Sequence, residues 1–119
     1  MPREFKRSVR VAESIKRVVA PPLNDWMREH QAGMASVTNV VVSSDMRQSK
    51  IYVSLYGCDD ATETLKSINE ARHQFRQSIG RELSLRNVPE IKFLQDVSIE
   101  SSDNISRMLG DLNGRDDNV

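Results

Sequence analysis

ATETLKSINEARHQFRQSIGREL, residues 61–83, carries the clearest periodic signal in the chain: Ala61, Leu65, Ile68, Ala71, Phe75, Ile79 and Leu83 recur three or four positions apart. That spacing lays one apolar stripe along a helix of about six turns. Asp60 stands just ahead of it as an N-cap, and Glu63 takes the third helical position, where an acid completes a capping box. The pattern alone predicts a single long helix over 61–83.

The flanks of that helix read as strands. Asn87-Val88-Pro89 stops the periodicity, and Glu90-Ile91-Lys92-Phe93-Leu94-Gln95 follows as a strand. Upstream, Gly57 to Asp60 is a turn. Before it, Lys50 to Tyr56 alternates, with Ile51, Val53 and Leu55 on one face and Lys50, Tyr52, Ser54 and Tyr56 on the other. Residues 35–43 are rich in β-branched side chains, and their alternation slips at Thr38-Asn39, the mark of a bulge. With only the polar connection 44–49 between them, the two strands form an antiparallel hairpin.

Further out, Val11, Ile15, Val18, Val19, Leu23, Trp26 and Met27 recur at helical spacing over residues 8–30. Pro21-Pro22 falls inside this run, and an interior proline costs about 3 kcal/mol. The pattern predicts two helical pieces on one axis, broken near Ala20, before Gln31-Ala32-Gly33 ends the second. At the other end, Ile105, Met108, Leu109 and Leu112 suit a short helix. The order is therefore α-β-β-α-β. The expected organisation is one domain over residues 1–112, its first six residues flexible, followed by a disordered acidic tail over 113–119.

Composition narrows the class. The chain has 119 residues, enough for one domain with a modest core, and 17 basic side chains balance 17 acidic ones. The balance is uneven along the chain. Arg3, Lys6, Arg7, Arg10, Lys16 and Arg17 crowd the first 17 residues, while Glu100, Asp103, Asp111, Asp116 and Asp117 mark the end. This asymmetry fits a surface that meets polyanions, and it equally fits two solvated flanks. One cysteine, Cys58, excludes an intrachain disulfide and a cysteine-based zinc site. No apolar run has the length of a signal peptide or a membrane span, so the expected location is cytoplasmic.

Catalytic and cofactor patterns are missing. His30 and His73 lack ligand spacing to other histidines, cysteines or acids, and the five glycines are too scattered for a phosphate loop. Asp59-Asp60 reads as a turn and cap, and Cys58 as an inert thiol beside them. No metal, cofactor or small-molecule substrate is expected, and no enzymatic activity.

Several strings together resemble the ribosome-binding factor A family. They are Arg10-Val11-Ala12-Glu13, Gly33-Met34 leading into Val37-Thr38, Val40 to Asp45, and Lys50-Ile51-Tyr52-Val53. Gly80-Arg81 follows, then Leu85-Arg86-Asn87-Val88-Pro89-Glu90-Ile91-Lys92-Phe93, Ser98-Ile99-Glu100 and Met108-Leu109. The resemblance runs in order from about residue 7 to about residue 112. It implies an α+β, KH-like domain of type II topology (α-β-β-α-α-β), a three-stranded sheet with helices packed on one face. It also implies that the 61–83 helix is two helices meeting at a kink. The family's Ala-x-Gly kink falls on Ala71, Arg72 and His73, with histidine in place of the glycine. A GxxG clamp of the ordinary KH kind is absent.

Around that kink Arg72, His73, Arg76, Arg81 and Arg86 face only one acid, Glu82. Arg72 and Arg76 stand four apart, away from the apolar stripe. With Arg7 and Arg10 of the first helix and Arg47 of the hairpin connection, they form the candidate RNA contacts. The charge pattern by itself favours an ordinary solvated helix face; the resemblance reverses that for the face as a whole, but not for any single arginine. The resemblance implies a monomeric assembly factor that binds the free or immature 30S small ribosomal subunit through 16S rRNA. It would assist late maturation and rRNA processing without catalysis, and it associates the family with growth in the cold. The alternative is a protein–protein adaptor with the same fold, binding through the exposed sheet face and indifferent to charge reversal at Arg72 and Arg76. A small hydrolase would need a carboxylate or histidine in a concave pocket.

Overall fold

The computed structural model describes the backbone of residues 3–96 and the side chains of residues 7–96. The elements run α1 (Arg3–Glu29), β1 (Met34–Val42), β2 (Gln48–Tyr56), α2 (Ala61–Glu70), α3 (Arg72–Leu83) and β3 (Glu90–Gln95). This is the α-β-β-α-α-β order of a type II KH-like domain. The helix expected at Ile105 to Leu112, and the tail after it, lie outside the described residues.

The sheet has the order β1-β2-β3. β1 and β2 pair antiparallel with a register shift between Val37 and Asn39, where the alternation slips, and β3 joins β2 in parallel. Parallel pairing needs a long crossover, and α2 and α3 provide it. Val40, Val42, Ile51, Val53, Ile91 and Phe93 point into the core, while Val41, Lys50 and Lys92 point outward.

Two expectations about the helices need correction. First, α1 is continuous from Arg3 to Glu29 and runs straight through Pro21 and Pro22, with no break near Ala20. Ile15, Val19, Leu23 and Met27, each four residues from the next, have no exposed surface. Burying each contributes about 1.5–3 kcal/mol, which offsets two interior prolines at about 3 kcal/mol each. Breaking the helix would have swung one half of that stripe off the sheet.

Second, the 61–83 run is two helices, not one. Ala71 separates them with φ −93° and ψ 9°. Its N–H is shared between the carbonyls of Ser67 and Ile68, both at 3.1 Å, so the regular ladder stops there. The apolar stripe continues across the junction through Ile68, Phe75 and Ile79, all buried. Periodicity therefore reports a common buried face and is blind to one irregular residue. The kink implied by the family resemblance is the correct reading. Neither Arg72 nor His73 has a positive φ, so the histidine is accommodated without strain.

Both outer strands are tied to helices by asparagines. Asn24 of α1 donates through Nδ2 to the Ala35 carbonyl at 2.8 Å and accepts from its N–H at 3.0 Å. Asn69 of α2 does the same with Phe93 of β3, at 3.0 and 2.8 Å. Each amide completes a backbone pair that the sheet edge would otherwise leave open. Phe75 meets Phe93 edge-on, with ring centroids 5.5 Å apart, and joins α3 to the same strand.

Candidate nucleic-acid interface

The segment between α3 and β3 organises the site. α3 ends at Ser84, which adopts the left-handed conformation (φ 51°, ψ 37°) and redirects the chain. Pro89 is fully buried and anchors the other end of the connection. Between them, Leu85 and Val88 are half-buried while Arg86 and Asn87 are exposed. The hairpin connection of β1 and β2 lies alongside, because the Glu90 N–H donates to the Arg47 carbonyl at 2.8 Å.

That second loop is held by Asp45. Its carboxylate accepts from the Ser43 hydroxyl at 2.6 Å and from the Arg47 N–H at 3.1 Å. The Ser43 hydrogen bond, followed by the Arg47 amide, holds the Asp45 carboxyl below its ordinary value. Met46 completes the turn with φ 65°.

Two clefts open on either side of the Leu85–Val88 segment. One, of about 660 Å³, has His73, Arg76, Arg81 and Arg86 on its walls, with Gln77 and Asn87 between them. The other, of about 560 Å³, adds Arg7 and Arg47 to Arg76 and Arg86, beside Asp45 and Glu90. Arg76, Leu85, Arg86, Asn87 and Val88 belong to both. The fold thus gathers six of the eight candidate residues, from four separate elements or loops, around one segment. Five arginines face two carboxylates there. Arg10 and Arg72 line neither cleft.

The arginines do not play equivalent parts. Arg76 is a strut: Nη2 and Nε donate to the Val88 carbonyl at 2.8 and 3.3 Å, and Nη1 lies 3.8 Å from Glu90. Arg72 donates to the Asn69 carbonyl at 3.0 Å and so caps the end of α2. Arg81 reaches only the Ser78 hydroxyl, at 3.5 Å. Arg7, Arg47, Arg81 and Arg86 are exposed, so their planar donor forks are presented to solvent, as recognition of phosphate oxygens requires.

Gln77 and Asn87 complete the walls, and nothing in the residue pattern marks either position. Uncharged amides on a helix face or before a proline look like solvated or terminating residues, and only the docking of the two loops shows what they line. Among the described residues no cluster of histidine, cysteine, aspartate or glutamate could hold a metal ion. No helix there is long and apolar enough to cross a membrane.

Fold and site together define a KH-like α+β domain with an arginine-rich cleft at the α3–β3 connection. The chain belongs to the ribosome-binding factor A family: the model of that family matches residues 7–109. It is 41% identical over 111 residues to ribosome-binding factor A of Nostoc punctiforme, covering 91% of this chain and 80% of the relative. It is 42% identical over 106 residues to that of Moorella thermoacetica, covering 87% of each. Its fold is similar to the crystal structure of ribosome-binding factor A from Thermus thermophilus, with a TM-score of 0.64 at 18% identity over 74% of this chain and 94% of the other. A Thermus thermophilus homology model fitted into a cryo-EM map of a 30S–RbfA complex gives a TM-score of 0.61 at 19% identity, covering 71% and 89%.

Proposed function

We propose that this chain binds the free, immature small ribosomal subunit through 16S rRNA and assists its late maturation, including processing of the rRNA ends, with no catalytic step of its own. The observation that carries this reading is the convergence of Arg7, Arg47, His73, Arg76, Arg81 and Arg86 on the two clefts beside Leu85–Val88. Membership of a family named for ribosome binding supports it, as does a related protein fitted in complex with the 30S particle.

In this mechanism the exposed arginines contact phosphates and displace counterions, which makes binding strongly salt-dependent. The bound protein stabilises one rRNA arrangement until the precursor is processed. It shifts that equilibrium only by its differential affinity for the two arrangements. It acts as a cytoplasmic monomer, and its contribution matters most in the cold, where misfolded RNA helices escape slowly.

Cosedimentation with free small subunits, large subunits and whole ribosomes at two salt concentrations tests the proposal. Salt-sensitive binding to free small subunits alone is expected. Equal binding to mature, assembled ribosomes would sink the mechanism. The adaptor alternative draws on the outward sheet face, where the paired Met34 and Tyr56 are 66% and 52% exposed. It predicts binding that is insensitive to salt and to reversal of the cleft charges.

A further inference from the structure

His73 is the one candidate contact whose side chain changes charge near neutral pH, since the others are all arginines. It is exposed in the first turn of α3, and its imidazole has no partner among the described residues. Around the cleft of about 660 Å³ it stands with three guanidiniums, those of Arg76, Arg81 and Arg86, and no carboxylate is among the lining residues. The adjoining cleft differs, because Asp45 and Glu90 lie on its walls. Glu82, the single acid between Arg72 and Arg86, lines the groove between α3 and α1 instead.

The charged groups nearby come from each element that packs on α3. α3 itself supplies Arg72 beside His73 and Arg76 and Arg81 along the cleft, and the α3–β3 connection supplies Arg86. α2 ends at Glu70, three residues earlier, and no ion pair joins the two. Glu90 of β3 lies 3.8 Å from the Arg76 guanidinium. On α1, Arg7 lines the adjoining cleft, while Arg17 and Asp25 line the groove beside Glu82. The walls around His73 are therefore cationic, and they attract an anion.

A phosphodiester keeps its single negative charge throughout the range in which histidine titrates, so any proton that moves on binding belongs to the protein. The imidazolium brings a full charge and donates through both ring nitrogens, whereas the neutral ring brings no charge and donates through one. A phosphate oxygen within hydrogen-bond reach favours the charged form. We infer that His73 is a proton-dependent phosphate contact, which holds the rRNA backbone as imidazolium and takes up one proton from solvent on binding. Affinity then rises as pH falls from about 8 to about 6. This rests on the RNA-binding reading above and adds a pH dependence that arginines, charged throughout, cannot give. A ring that merely stacked on a base would need no proton.

The test measures affinity for free small subunits at about pH 6 and about pH 8, at one salt concentration. The proteins are the natural chain, His73→Gln, His73→Arg and His73→Phe. The side chain is exposed and without a partner among the described residues, so these exchanges keep the fold, which thermal melting checks. Affinities are expressed relative to His73→Gln at the same pH, which removes titration of the particle and of His30, the only other histidine. On that scale the natural chain is expected to be about fivefold stronger at the lower pH and about equal at the higher one. His73→Arg is expected to be about fivefold stronger at both, and His73→Phe about equal at both.

A natural chain no stronger than His73→Gln at the lower pH, or equally stronger at both, would overturn the contact and leave the proposed function standing. His73→Phe matching the natural chain at the lower pH would also overturn it, because the ring would then act by stacking. No binding to small subunits by any of the four would overturn both.

Discussion

Asn69 meets Phe93 as an additional strand would, donating through Nδ2 to the carbonyl at 3.0 Å and accepting through Oδ1 from the N–H at 2.8 Å. The pair joins the last turns of α2 to the middle of β3, just before the helix axis changes at Ala71. It fixes the origin from which α3 and its arginines project toward the clefts.

Asn69→Asp is the sharpest probe of this pair. One carboxylate oxygen can still accept from the Phe93 N–H, but the other faces the Phe93 carbonyl, where a donor is required. The substitution is expected to destabilise the protein by about 1–3 kcal/mol, the cost of opposing unsatisfied acceptors. A urea titration checks this, and an unchanged midpoint would show that the pair contributes nothing to stability.

Gly33 joins α1 to β1 with φ +91°, and a Cβ built there would lie 2.1 Å from the Tyr56 carbonyl oxygen. Gly33→Ala combines a disfavoured backbone with a clash against backbone, so it should cost more than the roughly 1 kcal/mol of a simple conformational penalty. The neighbouring Gly57→Ala meets nothing closer than 3.8 Å and serves as the contrast. Equal melting temperatures for the two variants would contradict this account.

Arg76 and Arg86 line the same clefts yet should fail in different ways. Arg76→Ala removes two hydrogen bonds to Val88 and is expected to lower stability by about 1–2 kcal/mol. Arg86→Ala should leave stability within about 0.5 kcal/mol, because the side chain is exposed. Thermal melts of both variants, measured beside small-subunit binding, separate the strut from the contact.

Asp45 gives a pH signature. Its carboxyl is held below its ordinary value in the fold, first by the Ser43 hydroxyl and then by the Arg47 amide. A depressed folded-state value means a stabilising contribution that is complete above the unfolded value and is lost as pH falls through the folded one. Asp45→Asn should therefore lose stability relative to the natural chain near neutrality, with the gap narrowing below about pH 4. A gap that is constant from neutral to acid pH would rule this out.

What the sequence showed, it showed through pattern. The strands of residues 34–56, the bulge at Thr38-Asn39, the Asp60 cap and the strand at 90–95 all follow from alternation or from turn chemistry. The errors lie where burial outweighs a local rule, as at Pro21-Pro22, or where one residue departs from a continuing stripe, as at Ala71. Charge picked out eight residues, six of which line the two clefts. It could not show that Arg76 and Arg72 are committed to backbone carbonyls, because those partners, Val88 and Asn69, leave no trace in a charge pattern. The gathering of Arg7 and Arg47 beside Arg86 depends on a loop docked through the Glu90 N–H, which only the fold reveals.

The most direct measurement is the salt dependence of binding to free small subunits for the natural chain, Arg47→Ala, Arg86→Ala and, as a control, Lys92→Ala on the outward face of β3. The account predicts a steep loss of affinity with salt for the natural chain, a slope shallower by about one for each cleft arginine removed, and an unchanged slope for the lysine control. Identical slopes for all four proteins, or binding indifferent to salt, would contradict the claim that this cleft is where the protein holds RNA.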